Sequence, residues 1–150
     1  NNKYAMGTAT ERSSATTDFS QRGRSFDIPG EQVDGMDVRA VKAAGDRITK
    51  WVRDGNGPYV MEMLTYRYRG HSMSDPAKYR TREEVDKVRE QQDPIEQVRA
   101  RLMTSGMANE DELKKIDADI RQTVTASAEY AQNDPEPDPK ELWTDVLLPA

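Results

Sequence analysis

The sequence contains no cysteine and only one histidine, His71. The absence of cysteine excludes a disulfide framework, a thiolate metal site and a cysteine nucleophile. A single histidine cannot build a multi-histidine zinc or iron centre. Any metal site in this chain must therefore use oxygen ligands and hold a hard cation.

Long apolar runs are also missing. No run approaches the roughly 20 residues that a membrane-spanning helix needs, so we expect no membrane contact. Hydrophobic residues make up 35% of the chain and charged residues 33%, which predicts that much of the surface is solvated or rests on another protein segment. The formal charge of -5 comes from interspersed acidic and basic residues, so there is no basic stripe for a nucleic-acid backbone.

The length of 150 residues corresponds to about one domain. The chain opens at Asn1 without an initiator methionine and without the pattern of a signal or transit peptide. We therefore expect the native N-terminus to lie further upstream.

The first part of the chain, residues 1–29, is rich in Gly, Ser, Thr and Arg and has no sustained apolar period. It is predicted to form a long connection with one helical turn at Thr10–Ala15. Such connections carry function more often than core. A short strand is expected at Ile28–Val33, followed by a turn at Asp34 and Gly35.

A helix and a strand are predicted next. Asp37 can cap a helix from Val38 to about Arg53, with Gly55 as a stop. An apolar run at Tyr59–Leu64 then indicates a buried strand. A helix followed by a buried strand is half of a parallel α/β repeat, in which ligands bind beyond the carboxyl ends of the strands. Chemistry is therefore expected in the following loop, residues 65–80.

Three helices are predicted after the loop. Their caps are Thr81 with Glu84, Asp93 before Pro94, and Asn109 with Glu112. One stripe of the last helix, expected to end near Gln132, consists of Leu113, Ile116, Ile120, Val124 and Ser127. A proline-rich linker follows, and after it an apolar tail consisting of Leu142, Trp143, Val146 and Leu147.

The stripe and the tail together predict docking onto a partner or onto another segment of the protein. The expected organisation is an α/β part at residues 1–80, a helical extension at 81–133, and the linker with its docking tail at 134–150.

Two groups of residues could carry chemistry. Asn1–Tyr4 could supply a neutral side-chain oxygen and a backbone carbonyl to magnesium beside a diphosphate, although asparagines also favour plain turns. The loop from Tyr66 to Pro76 could gather Arg67, Arg69 and His71 around a phosphate, or could be a solvated surface loop. A hydrolytic Ser-His-Asp triad is disfavoured there, because neighbours on one loop rarely face each other as a triad requires.

The sequence resembles the alpha subunits of the thiamine-diphosphate-dependent 2-oxoacid dehydrogenases, and among these the pyruvate type, over essentially its whole length. The matching motifs are NNKYAMGT at Asn1–Thr8, PG at Pro29–Gly30, VDGMD at Val33–Asp37, TYRYRGHSMSDP at Thr65–Pro76, YRTREE at Tyr79–Glu84 and DPI at Asp93–Ile95. The resemblance implies the C-terminal part of a thiamine-diphosphate-binding α/β fold, with the Gly-Asp-Gly start of the cofactor motif expected upstream.

The resemblance also implies a set of site residues. Asn2 corresponds to an asparagine whose side chain ligates magnesium, and Tyr4 to a residue whose backbone carbonyl does so. His71 corresponds to a loop histidine beside the diphosphate of thiamine diphosphate, assisted by Arg67. Ser72 corresponds to a serine that is phosphorylated in animal members. Since two other phosphoacceptor positions are missing, the sequence favours a bacterial, cytoplasmic protein over one of the mitochondrial matrix.

The implied reaction is oxidative decarboxylation of pyruvate and transfer of the two-carbon unit to a lipoyl group. The implied partners are a beta subunit, in a heterotetramer, and the lipoyl-bearing acyltransferase component. Branched-chain 2-oxoacid or acetoin dehydrogenase is the alternative activity, and the run from Gly70 to Pro76 favours pyruvate over both. For these 150 residues alone, a non-catalytic subunit-docking module is a further alternative.

Overall fold

The structure, a computed structural model, describes residues 1–146. The chain divides into two compact units, of which the first is Asn1–Thr104 and the second begins at Ser105. The first unit mixes helices with small sheets, and the second is helical. This mixture of helices with small sheets is the α/β composition that the sequence predicts.

The sheet of the first unit pairs two parallel strands. Strand β3 (Gly30–Asp34) lies beside β4 (Val60–Leu64), with Val33 opposite Met63. Helix α2 (Val38–Arg53) connects them, so β3, α2 and β4 form the predicted parallel repeat. Strand β3 begins two residues later than predicted and includes Asp34, which the sequence pattern had assigned to the turn.

Helix α2 begins and ends as its sequence predicts. The Asp37 side chain accepts a hydrogen bond from the Arg39 backbone N–H at 2.9 Å, and Gly55 adopts a φ of 83° after the last turn. Its apolar face meets the sheet in a small core of Val33, Ala44 and Ile48. This core fixes the helix over the two strands.

The outer part of the same helix face is not covered. Val38 is 49% exposed, Trp51 40% and Val52 45%. Strand β4, predicted to be buried, is mostly half-buried, and its one buried residue is Glu62. The apolar pattern thus predicted the helix and the strand correctly. The described residues, however, bury only part of the apolar surface of these two elements.

The N-terminal segment is more structured than a plain connection. Strands β1 (Tyr4–Ala5) and β2 (Thr8–Ala9) form a short antiparallel hairpin, followed by helix α1 (Thr10–Ser13) at the predicted helical turn. A 3₁₀ helix at Phe19–Phe26 was not predicted. It has no apolar period to reveal it; the Asp18 side chain caps it by accepting from the Ser20 N–H at 3.1 Å, and contacts with the sheet hold it in place.

Three α-helices follow the loop: α3 (Arg82–Gln92), α4 (Pro94–Thr104) and α5 (Glu110–Asn133). The caps of α4 and α5 form as predicted, with a complete capping box between Asn109 and Glu112. The box at Thr81 is half formed: Thr81 accepts from the Glu84 N–H at 3.1 Å, but the Glu84 carboxylate instead accepts from the Tyr66 hydroxyl.

The C-terminal region exposes most of its apolar side chains. Leu113 on α5 is buried, whereas Ile116, Ile120 and Val124 on the same stripe are exposed. After the linker, a second 3₁₀ helix spans Pro139–Trp143, and Leu142, Trp143 and Val146 are exposed. Leu147, the fourth residue of the predicted tail, lies outside the described residues. No helix among residues 1–146 combines the length and apolarity needed to cross a membrane.

Candidate functional site

The first predicted group, Asn1–Tyr4, lies at the end of strand β4, where the loop that carries the second group begins. The Asn1 nitrogen donates to the Met63 carbonyl at 2.8 Å, and the Thr65 N–H donates to the Asn1 carbonyl at 2.8 Å. This pair of bonds is the pattern of a parallel neighbour. Asn1 therefore sits beside β4 where the strand runs into the loop of residues 65–80.

The Asn1–Tyr4 segment is a compact turn. The side-chain oxygen of Asn1 accepts from the Lys3 N–H at 2.9 Å, and that of Asn2 accepts from the Tyr4 N–H at 3.2 Å. Lys3 adopts a φ of 69°, in the left-handed region. A carbonyl oxygen has two lone pairs, so the half-buried Asn2 side chain keeps one acceptor position beyond its bond to Tyr4.

The buried carboxylate of Glu62 joins this turn to the rest of the sheet. It accepts hydrogen bonds from the Asn1 side-chain amide at 2.6 Å, the Gln32 side-chain amide at 3.0 Å, and the backbone N–H groups of Phe19 at 2.8 Å and Ser20 at 3.1 Å. Burial by itself raises the pKa of Glu62, but these hydrogen bonds outweigh it and the pKa lies below its ordinary value. Glu62 is thus ionised at neutral pH.

The sequence analysis did not single out Glu62. The signal was present, since it is the one charged residue within the apolar run at Tyr59–Leu64. A charged side chain inside a buried strand must be paired or hydrogen-bonded. That rule identifies Glu62 as special, but it does not name the four partners, which come from distant parts of the chain.

A group of aromatic rings connects the turn to the far end of the loop. The Tyr4 and Tyr79 rings lie with centroids 4.9 Å apart. The Arg80 guanidinium lies over the rings of Tyr4, Tyr66 and Tyr79, at 5.6, 5.3 and 5.6 Å from their centroids. Since cation–π attraction strengthens as water is excluded, Arg80 holds the two ends of the loop against the turn.

Two arginines of this region have buried nitrogen atoms without a hydrogen-bond acceptor among the described residues. They are Nη1 of Arg67 and Nε, Nη1 and Nη2 of Arg80. Burial of such donors costs free energy unless something accepts from them. Arg67 was predicted as a site residue; Arg80 was not, although it lies in the conspicuous YRTREE motif.

The loop between the rings is organised around Asp75. Its carboxylate accepts from the His71 N–H at 2.7 Å, the Ala77 N–H at 2.8 Å and the Tyr79 hydroxyl at 2.9 Å. The hydrogen bonds from His71 and Ala77 hold the pKa of Asp75 below its usual value. Gly70 is required here, because a Cβ at this position would lie 2.7 Å from the Asp75 carbonyl oxygen.

The tip of the loop projects into solvent. His71 and Ser72 are exposed, and the Ser72 hydroxyl lies 3.0 Å from that of Ser74. Asp75 bonds to the backbone of His71 and not to its ring, so no Ser-His-Asp relay forms. The structure thus agrees with the rejection of hydrolytic chemistry at this loop.

The carboxylates between β3 and α2 do not form a metal site. Asp34 accepts from the Met36 N–H at 2.9 Å, Asp37 caps α2, and Glu31 pairs with Arg47. Within residues 1–146, no three His, Cys, Asp or Glu side chains are grouped as metal ligands. The sequence analysis gave the two aspartates these turn and cap roles.

A cleft of about 390 Å³ opens at the carboxyl ends of β3 and β4. Its lining includes Lys3, Asp34, Leu64, Tyr66 and Glu84. Burial raises the pKa of the Tyr66 hydroxyl, and its hydrogen bond to Glu84 raises it further, so Tyr66 is a neutral donor. The position agrees with the general rule for parallel sheets; Arg67 and His71 do not line this cleft.

Comparison with known proteins gives the family to which the chain belongs. The sequence model of the dehydrogenase E1 component family matches residues 1–140, and the chain belongs to that family. Within it, the chain is 66% identical over 148 residues to the pyruvate dehydrogenase E1 component subunit alpha of Rhizobium meliloti. It is 49% identical over 148 residues to the protein of the same name from Zymomonas mobilis.

Mitochondrial relatives are similar over nearly the same span. The somatic form of the pyruvate dehydrogenase E1 component subunit alpha from Homo sapiens is 48% identical over 143 residues, or 95% of this chain. The chain covers 42% of the Rhizobium protein and 36% of the human one. It therefore spans about two fifths of the length of the curated relatives that it matches.

Proposed function

We propose that this chain is part of the alpha subunit of a thiamine-diphosphate-dependent pyruvate dehydrogenase. The observation that carries the proposal is the 66% identity over 148 residues to a subunit of that name, which covers 99% of the chain. The parallel β3–α2–β4 unit, with the candidate residues at its carboxyl edge, supports a thiamine-diphosphate-binding fold. Residues 1–80 would belong to that fold, 81–133 to a helical extension, and 134–150 to a linker and docking tail.

Asn2 and Tyr4 are the proposed magnesium ligands, through a side-chain oxygen and a backbone carbonyl oxygen. Two observations support this. Both donors are neutral oxygens on a turn held by hydrogen bonds, and Asn2 has a free lone pair. Magnesium is usually held by few protein oxygens, with the phosphates of a ligand completing its shell, so a sparse set of neutral donors fits a metal diphosphate.

Arg67 and His71 are the proposed partners of the diphosphate. The buried Nη1 of Arg67 has no acceptor among the described residues, as expected of a donor whose acceptor is a bound anion. His71 is exposed on a loop whose backbone Asp75 fixes, so its ring can turn toward a ligand without rearranging the loop. We assign His71 the catalytic position, in contact with the cofactor.

The bound cofactor would supply the electron sink for decarboxylation of pyruvate. The residues of this chain would orient it: the turn at Asn2 and Tyr4 fixes the metal end, and the cationic loop neutralises the phosphates. Holding both the metal and the phosphates in place would keep the reactive ring of the cofactor at a fixed position in the site. The two-carbon unit would pass to the lipoyl group of an acyltransferase component, at a site shared with a beta subunit in a heterotetramer.

Ser72 is a possible phosphorylation site in this scheme. Its exposed hydroxyl is accessible, and a phosphate there would place two negative charges beside His71 and close to Asp75. Such charges would repel the diphosphate and disorder the loop. Because two other phosphoacceptor positions of the animal members are missing from this chain, kinase control is disfavoured, and a cytoplasmic location in a bacterium is favoured over a mitochondrial one. Phosphate on Ser72 in protein from the native source would contradict that view.

The proposal is tested by turnover. We expect the full-length chain, co-expressed with its beta subunit and supplied with magnesium and thiamine diphosphate, to reduce an acceptor with pyruvate. Pyruvate should be preferred over branched 2-oxoacids by at least about tenfold in kcat/KM, because a pocket sized for a methyl group excludes larger side chains. Equal or better turnover of branched 2-oxoacids or acetoin would overturn the assignment of substrate.

The exposed apolar side chains favour a second reading for these 150 residues alone. Ile116, Ile120 and Val124 of the α5 stripe and the described part of the tail are exposed, as expected of a surface that meets a beta subunit. In that reading the segment docks and does not catalyse. A full-length complex that forms stably but shows no turnover with any 2-oxoacid would favour it.

A further inference from the structure

Among the described residues, every hydrogen-bond partner of Glu62 is an N–H donor that cannot act as an acceptor. One carboxylate oxygen faces the Asn1 amide nitrogen, and the other faces the Gln32 amide nitrogen and the N–H groups of Phe19 and Ser20. An ionised carboxylate is the one side-chain group that carries acceptors on both of its terminal atoms and no donor. The site therefore specifies a glutamate and is mismatched to the isosteric glutamine.

The bond to Asn1 determines which way the Asn1 amide points. Its nitrogen faces Glu62, so its oxygen faces the Lys3 N–H at 2.9 Å. That second bond closes the turn in which Lys3 takes its left-handed φ and Asn2 accepts from Tyr4. The orientation of one amide thus links a buried carboxylate on β4 to the two residues proposed to ligate magnesium.

We propose that Glu62 is a positioning residue for the metal site, orienting the Asn1 amide so that the turn presents the oxygens of Asn2 and Tyr4 to a divalent cation. This inference rests on the proposed function for the identity of the cation. It adds a residue that touches neither metal nor cofactor. Outer-shell residues of this kind typically affect metal affinity by about 10- to 100-fold.

Glutamine at position 62 would replace one of the two acceptor oxygens with an NH₂ donor. Its oxygen could still accept from Phe19 and Ser20, but its NH₂ group would face the NH₂ group of Asn1. If the Asn1 amide rotated to accept, it would present NH₂ to the Lys3 N–H and open the turn. Asn1→Asp in the same chain removes the conflict, because one aspartate oxygen can accept from Gln at 62 and the other from Lys3.

The experiment uses the full-length chain assembled with its beta subunit and measures Mn²⁺, as a probe for magnesium, by the electron paramagnetic resonance of the free ion in the presence of thiamine diphosphate. E62Q should raise the Mn²⁺ dissociation constant by about tenfold or more. The double variant E62Q/N1D, which conserves the charge of the pair, should return it to within about threefold of wild type. Asn1→Ala should weaken binding as E62Q does.

The matched control is Glu31→Gln, one residue before Gln32, whose carboxylate pairs with Arg47 of helix α2. It removes the same charge without contacting Asn1, so the Mn²⁺ dissociation constant should not change. If E62Q folds poorly, the double variant and Asn1→Ala still test the positioning role.

An unchanged Mn²⁺ dissociation constant in E62Q, or no recovery in the double variant, would overturn the positioning role. Absence of Mn²⁺ binding by the wild-type assembly would overturn the proposed function, and this role with it.

Discussion

At the scale of single residues, carboxylates with several donors organise the candidate site. Asp75 gathers three donors from within its own loop, and Glu62 gathers four from three separate segments. Each is held as an anion by these bonds, with a pKa below the ordinary value. The donors to Asp75 lie within a few residues of it in the sequence, whereas the donors to Glu62 lie 30 or more residues away. A local stretch of sequence can therefore suggest the hydrogen bonds of Asp75 but not those of Glu62.

Asp75→Asn should loosen the loop. Asparagine keeps only one acceptor oxygen. Its NH₂ group would face either the Ala77 N–H, or the His71 N–H and the Tyr79 hydroxyl, and could not accept from them. We expect faster amide hydrogen exchange in residues 65–80 at neutral pH, measured by mass spectrometry. Asp27→Asn makes the same chemical change at an exposed position outside the loop and should leave that exchange unchanged.

The wild-type loop should also respond to acid. The pKa of Asp75 in the folded chain lies below its ordinary value of 3.8. The stability that the Asp75 carboxylate gives the loop is therefore fully present above pH 3.8 and is lost as the pH falls through the lower pKa of the folded chain. Protection of the loop, corrected for intrinsic exchange, should therefore drop below about pH 4 in wild type but not in Asp75→Asn. A loop equally protected on both sides of this range would show that Asp75 does not hold it.

At the scale of elements, the well-capped helices are the part of the fold that the sequence predicts best. Helix α5 carries the clearest signal, since Asn109 accepts from the N–H groups of Asp111 and Glu112, and the Glu112 carboxylate accepts from the Asn109 N–H. Such local bonds need no distant partner. They stabilise the first turn wherever the helix packs.

Asn109→Ala should therefore destabilise the start of α5 by about 1 kcal/mol, the usual cost of losing an N-cap side chain. Hydrogen exchange of the first-turn amides, at residues 110–113, measures the change directly. Glu112→Gln is the matched variant, because glutamine also serves in a capping box and should change little. If both variants lost the same protection, the cap would not be the source of the stability.

Elements held by distant contacts could not be predicted in this way. The caps and apolar period of α2 were sufficient to give its bounds, and the apolar run gave β4. The 3₁₀ helix at Phe19–Phe26 has a local N-cap, since the Asp18 side chain accepts from the Ser20 N–H at 3.1 Å. It is also held by the Glu62 carboxylate, some 40 residues away, which receives the N–H groups of its first two residues and which no local pattern reveals. Likewise, motif resemblance drew attention to Arg67 and His71, whereas Arg80 required the three-dimensional arrangement of its tyrosines.

At the scale of the whole molecule, the amount of buried apolar surface is small for 150 residues. The buried apolar residues among those described are Val33, Met36, Ala44, Ile48 and Leu113. Many others are exposed on α2, on α5 and in the tail, and Trp143 is 84% exposed. Exposed apolar surface of this kind is typical of interaction sites, which agrees with the docking surface proposed above.

The small core and the few proposed ligands limit the metal and cofactor binding that the 150 residues can achieve alone. Only Asn2 and Tyr4 are proposed as magnesium ligands here, and neutral donors give little affinity unless a rigid site and a bound diphosphate complete the octahedral shell. The turn that carries them is held by Glu62 and by one edge of a two-stranded sheet. A sheet of this size is marginally stable unless more protein packs on it.

We therefore expect the isolated 150-residue chain neither to turn over pyruvate nor to bind thiamine diphosphate with micromolar affinity. Isothermal calorimetry with magnesium present measures the binding, and the full-length chain assembled with its beta subunit is the positive control. Micromolar binding by the isolated chain would contradict the prediction and would mean that the turn and loop form a complete site by themselves. Binding only by the assembly would show instead that the residues collected at the end of β4 are one side of a site that other protein segments must close.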